Sequence, residues 1–248
     1  VGAAPAPGAW SDRVDIVNTD RGQSLAVGNV YHDGSTLGAV PVGGSAQHQY
    51  QFRLPNGDQG KGNLRITVTT DYGGSVFEYT PSGQAEQNNS SSIDRTSTLA
   101  LYPDLSVTEL DISPRGLSSG RDVTVSWVVT NSGPGTVTGD FFDRVLVVNR
   151  TTTQTLLDVH DYLNPLADVN GPIGPGQSRL RQHSFRLPDG TAGAGEILFQ
   201  VTTDDGNRVF EYLPGGDGET NNTASLTATS EAGSYPDLVL TAIQAPAS

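Results

Sequence analysis

Apolar and polar side chains alternate over short runs along this chain, and no run sustains the 3.6-residue period of a helix. Asp104-Leu105-Ser106-Val107-Thr108-Glu109-Leu110 predicts a half-buried strand, which Ser113-Pro114-Arg115-Gly116 breaks. Val123-Thr124-Val125-Ser126-Trp127-Val128-Val129-Thr130 is β-branched and aromatic and stops at the turn signal Asn131-Ser132-Gly133-Pro134. Residues 141–148 predict a third strand, 155–159 a short fourth, 177–187 a fifth and 196–203 a sixth. Residues 208–212, resuming at 222–228 after a Gly-rich interruption, predict the seventh. Residues 164–176 carry three prolines and three glycines and predict a loop. Seven short strands separated by turns predict an immunoglobulin-like β-sandwich, with a jelly roll or other two-sheet arrangement as the alternative. Trp127 is the expected centre of its core, because a buried indole covers a large apolar area.

The pattern occurs twice. Val68-Thr69-Thr70-Asp71 through Val76-Phe77-Glu78-Tyr79 returns as Val201-Thr202-Thr203-Asp204 through Val209-Phe210-Glu211-Tyr212, at an offset of 204 − 71 = 133. Phe52-Arg53-Leu54-Pro55 returns as Phe185-Arg186-Leu187-Pro188, and Tyr102-Pro103-Asp104-Leu105 as Tyr235-Pro236-Asp237-Leu238. Asp12-Arg13-Val14 matches Asp143-Arg144-Val145 at 143 − 12 = 131. A period of this length is a whole domain. The organisation read from it is all-β and tandem. Residues 1–101 hold the C-terminal part of one module and lack its N-terminal strands, residues 102–234 hold a complete module, and residues 235–248 hold the first strand of a third module or a donated strand. Two accounts fit the first module: the chain is a window on a longer array, or a strand from another molecule fills the gap. On the second account Tyr235, Asp237, Leu238 and Leu240 form part of the assembly contact with a neighbouring copy.

Composition narrows the chemistry. There is no Cys, hence no disulfide framework, thiolate metal site or thiol nucleophile. The net charge of −13 leaves no basic stripe for a phosphate backbone, so nucleic acid is not an expected partner, whereas divalent cations suit an acidic surface. No apolar run reaches the roughly 18–20 residues that cross a bilayer.

Several segments taken together resemble CARDB modules, bacterial cell-adhesion-related domains. They are Pro103-Asp104-Leu105, Val125-Ser126-Trp127-Val128-Val129-Thr130-Asn131-Ser132-Gly133, Asp143-Arg144-Val145 and Glu219-Thr220-Asn221-Asn222-Thr223. Trp10-Ser11-Asp12-Arg13-Val14 and Glu86-Gln87-Asn88-Asn89 repeat the second half of the pattern. The resemblance implies an immunoglobulin-like sandwich and a non-catalytic segment of an extracellular or cell-surface adhesin, stalk or fibre. The alternative is a calcium-stabilised carbohydrate- or protein-binding module attached to a secreted protein, for which Tyr72, Tyr79, Tyr162 and Tyr212 are candidate contacts.

The candidate chemistry is a Ca²⁺ site. Asp71, Glu78, Glu86 and Asn88 recur as Asp204, Glu211, Glu219 and Asn221, all oxygen donors of the kind Ca²⁺ collects in sets of six to eight. The competing account is turn chemistry: Asp205-Gly206 suits a type I′ hairpin, and Asn221 and Asn222 then satisfy backbone groups. In the pairs Asp12-Arg13 and Asp143-Arg144, neighbouring strand residues point to opposite faces, so one of each pair turns inward to a partner elsewhere. Catalysis has no support, since no nucleophile elbow, metalloprotease helix or phosphate-cradling loop occurs. At the 133 offset His48 falls opposite Arg181 and His183 opposite Tyr50.

Overall fold

The computed structural model describes residues 3–213 and 218–244. The chain divides into two compact units, residues 1–100 and 101–248. The interruption at 214–217 and the last four residues of the 235–248 segment lie outside the described residues.

The second unit carries strands β5 (Leu105–Ser113), β6 (Leu117–Ser118), β7 (Asp122–Asn131), β8 (Phe141–Asn149), β9 (Gln154–Leu163), β10 (Ser178–Arg186), β11 (Gly195–Thr202) and β12 (Thr223–Glu231). They form a three-stranded sheet, β10-β7-β5, and a five-stranded sheet, β6-β12-β11-β8-β9. The alternation in β7 and β8 sends every second side chain inward. Trp127, Phe141 and Phe199 are fully buried between the sheets, as the β-sandwich reading requires.

The seventh strand departs from the sequence reading. Residues 208–212 are not a strand; only Thr223–Glu231 joins the sheet. Asp204 (φ 46°) turns the chain, and its carboxylate takes the N–H groups of Arg208 and Val209 at 3.0 and 2.9 Å. Those donors are therefore spent on a side chain rather than on a ladder. Val209 is buried within this loop, so its apolar period serves packing instead. Asn131, read as part of a turn, is a buried clip. Its Oδ1 accepts from Asp104 N and Gly133 N, and its Nδ2 donates to the carbonyls of Gly135 and Ile173. Asn131→Ala orphans these groups and is expected to cost roughly 2–4 kcal/mol in urea unfolding; a change under about 0.5 kcal/mol would refute the clip.

The first unit is one four-stranded sheet ordered β2-β1-β3-β4, made of β1 (Trp10–Asn18), β2 (Gln23–His32), β3 (Gly62–Thr69) and β4 (Ser90–Ser97). At the repeat offsets these correspond to β8, β9, β11 and β12, and residues 1–100 hold no counterpart of β5 or β7. Residues 45–53, the counterpart of β10, form no strand because β10's ladder partner is β7. They lie on the sheet through side chains instead. Tyr50 covers Gly28 so closely that a Cβ there would come 2.3 Å from the ring, so a larger residue would push the Tyr50 ring aside.

Candidate metal centre

The second unit gathers half of the acidic positions singled out in the sequence. Asp204 stands at the turn after β11, Glu211 on the returning loop, and Glu219 in the short helical turn Gly218–Asn221. One carboxylate oxygen from each lies within 4.8 Å of the others. Asp204 and Glu211 are buried, and Glu219 is half-buried.

The local chain path explains the convergence. The two N–H groups held by Asp204 swing residues 208–211 back across the end of the sandwich. This delivers Glu211 to the start of β5, where its Oε2 accepts Leu105 N–H at 2.7 Å. Glu219 accepts Asn222 Nδ2 at 2.9 Å. Asn221 Nδ2 donates to Asp104 at 2.9 Å, which brings a fourth carboxylate, itself buried, to the same end. The Asp205-Gly206 pair is not the expected type I′ turn. Of the two central residues only Gly206 has positive φ (104°), with Asn207 N–H closing onto Asp204 O at 2.9 Å, a type II arrangement that does not continue into a hairpin.

Crowding carboxylates out of water has a titration consequence. Burial pushes Glu211 up to about 9; the Leu105 N–H opposes this, and the charges of Glu219, Asp204 and Asp104 add to it. Burial likewise raises Asp204 to about 6 against the N–H groups of Val209 and Arg208. Among the described residues, Glu211 Oε1 and Asn221 Oδ1 are buried with no hydrogen-bond partner. Unpaired buried acceptors beside three carboxylates fit a cation. An all-oxygen donor set suits a hard ion such as Ca²⁺ rather than a thiophilic one.

The first unit does not assemble the equivalent set. Asp71 repeats the loop-locking role, accepting from Ser75 N and Val76 N at 2.8 and 2.7 Å. Glu78 is raised by burial and then by the charges of Glu86 and Asp71. Glu86 and Asn88, however, are exposed, and among the described residues only Asp204, Glu211 and Glu219 converge.

The positions named for assembly are placed as follows. Tyr235 packs within its own unit: its hydroxyl lies 2.8 Å from Ser119 Oγ and accepts Gly190 N–H at 2.8 Å. Asp237, Leu238 and Leu240 sit on an exposed segment that pairs with no strand among the described residues. The ring of Tyr102 meets those of Phe210 and Tyr212, so Tyr212 serves packing, while Tyr72, Tyr79 and Tyr162 are exposed.

Asp104 was quoted in a motif but not assigned a role by sequence reasoning. Its recurrence as Asp237 at the 133 offset is the signal that marked it.

The chain is similar to a CARDB domain structure from Pyrococcus furiosus, determined in complex with di-metal ions. The identity is 18%, covering 55% of this chain and 100% of that one, at a TM-score of 0.37. It is also similar to β-glucosidase 3B of Thermotoga neapolitana (14% identity, 52% of this chain, 16% of that one, TM-score 0.31). A third similar structure is red sea bream transglutaminase (12% identity, 94% of this chain, 28% of that one, TM-score 0.33). No curated protein matches. The CARDB family model matches residues 102–226, half of the sequence, and the chain belongs to the CARDB family.

Proposed function

We propose that this chain is a non-catalytic structural segment of an extracellular, adhesion-related protein, and that its second unit is pinned by a Ca²⁺ ion held by Asp204, Glu211 and Glu219. The convergence of those three carboxylates at the start of β5 carries the reading. Glu211 and Asp104 tie the first strand of one sheet to the loop segments that lead into β12 of the other. A cation there would cross-link both sheets at one end and neutralise charge that the fold otherwise holds as protonated acid. Asn221 Oδ1 and Glu211 Oε1, buried and without a hydrogen-bond partner, are free to join the donor set. The bound ion would supply electrostatic stabilisation, which suits a module whose task is to hold its shape. Among the described residues no helix is long and apolar enough to cross a membrane, which accords with a segment displayed outside the bilayer.

The test is thermal unfolding of the chain after chelation and after addition of calcium. By mass action, a hundredfold excess over Kd contributes about 2.7 kcal/mol, a rise in melting temperature of roughly 5–10 °C for a unit of this size. An unchanged melt in excess chelator would remove the reading.

A further inference from the structure

The first unit contains a buried chain of polar contacts that the cation site does not use. His48 Nδ1 lies 2.6 Å from Asp12 Oδ2, His48 Nε2 lies 3.1 Å from His32 Nδ1, and His32 Nε2 lies 3.2 Å from the carbonyl of Gly38. His32 is 2% exposed and stacks on Trp10 at 3.8 Å between centroids.

Counting hydrogens along this chain gives a definite result. Both ends are acceptors, a carboxylate at one and a carbonyl at the other. Three contacts need three hydrogens, whereas two neutral imidazoles carry only two. The chain is complete only with one proton beyond those of Asp12 carboxylate and two neutral rings. That proton belongs on the rings. Burial of Asp12 is outweighed by the Thr70 hydroxyl, His48 and the Asp71 N–H, which hold its carboxyl below the usual range. Trp10 Nε1 also donates to it, at 3.0 Å.

The second unit solves the same problem without a titratable cation. Asp143, the counterpart of Asp12, receives Trp127 Nε1–H at 3.0 Å and pairs with Arg181 at 2.6 Å. Position 181 corresponds to position 48 at the 133 offset. The two units therefore face one buried carboxylate with an indole and a basic side chain, a permanent guanidinium in one and a histidine pair in the other. The groups that face the pair are acidic. Asp12 stands on β1, and Asp71 and Glu78 line the cavity beside His48, to which no Lys or Arg contributes. Asp33 follows His32, with its carboxylate taken up by Ser35 and Thr36.

We infer that Asp12, His48 and His32 form a proton-binding latch that holds residues 38–50 against the first unit's sheet. The closed segment binds one proton more than the open one, so by linkage closure is favoured as pH falls and lost as pH rises past release of that proton. Once the proton has left, one of the three contacts sets lone pair against lone pair. Whichever contact is lost, one of the segment's two anchors, the carbonyl of Gly38 or the ring of His48, loses a partner.

The test uses the whole chain labelled with ¹⁵N-histidine, with ring nitrogens assigned by comparison with a His48→Gln variant. Hydrogen exchange of the Gly38, Val40 and Gly44 amides, which donate to the carbonyls of Gly34, Ala6 and Pro41, is followed over the same pH series as the measure of protection in residues 38–50. The expected result is that three of the four ring nitrogens of His32 and His48 carry hydrogen whenever residues 38–50 are protected. Loss of the third should coincide with loss of protection there, while the ladder amides of β1 and β3 stay protected. A His48→Arg variant, which installs the second unit's solution, should keep the segment protected through the same pH range. Protection of residues 38–50 with only two ring hydrogens present, or unchanged by loss of the third, would overturn the latch. The wild-type spectra decide this even if a variant fails to fold.

Discussion

Exchanging Glu211 for Gln is expected to remove the calcium-dependent rise in melting temperature and to flatten the pH dependence of the chelated chain. In the cation-free fold Glu211 keeps its proton to about pH 9, whereas the unfolded chain releases it near the ordinary value of 4.5. The folded state thus binds more protons across that interval, and stability falls as pH rises through it, levelling off above about 9. Asp204 adds a contribution of the same sign between 3.8 and about 6. Gln keeps an oxygen for the Leu105 N–H but has no proton to lose and no charge to offer an ion. Melting curves of both proteins from pH 5 to pH 9, with chelator and with calcium, separate the two effects. A wild-type chelated chain that is insensitive to pH, or an undiminished calcium shift in the variant, would show that Glu211 is not the group at work.

The other large effect is expected at the centre of the sandwich. Trp127 is fully buried, fills the space between the two sheets, donates its indole N–H to Asp143 and presents its ring 5.9 Å from the Arg181 guanidinium. Trp127→Ala removes the packing, leaves a cavity and takes a hydrogen bond from a buried carboxylate. The expected cost is about 3–5 kcal/mol in urea unfolding of the second unit. A loss below about 1 kcal/mol would mean that the core is organised around other residues.

The parts of this fold that could be read from sequence are those whose patterns answer to one neighbour surface. β7 and β8 alternate because a single core lies on one side of each, so Trp127 and the inward turn of Asp143 and Asp12 follow from period two alone. Residues 208–212 alternate too, but a side chain decides their fate: Asp204 takes the N–H groups that a ladder would have used. Nothing local reports that competition. The candidate site was legible in its carboxylates, because Asp204, Glu211 and Glu219 repeat an acidic spacing. Asp104 was not, because its partner Asn221 lies 117 positions away and only the closed sandwich joins them. His48 carries a different lesson. Its alignment with Arg181 looked like a lost position, yet the two side chains meet equivalent carboxylates at the same 2.6 Å. The contact to the buried carboxylate is kept there by reach rather than by residue identity.

The central claim, a calcium ion held by Asp204, Glu211 and Glu219, is tested most directly by calorimetric titration of the chelated chain with calcium at pH 7, in two buffers of different ionisation enthalpy. Because Glu211 enters the titration protonated, the account predicts one ion bound in the second unit and about one proton released to the buffer as it binds. Binding with no proton release would place the ion elsewhere, and an absence of binding heat in both buffers would contradict the claim.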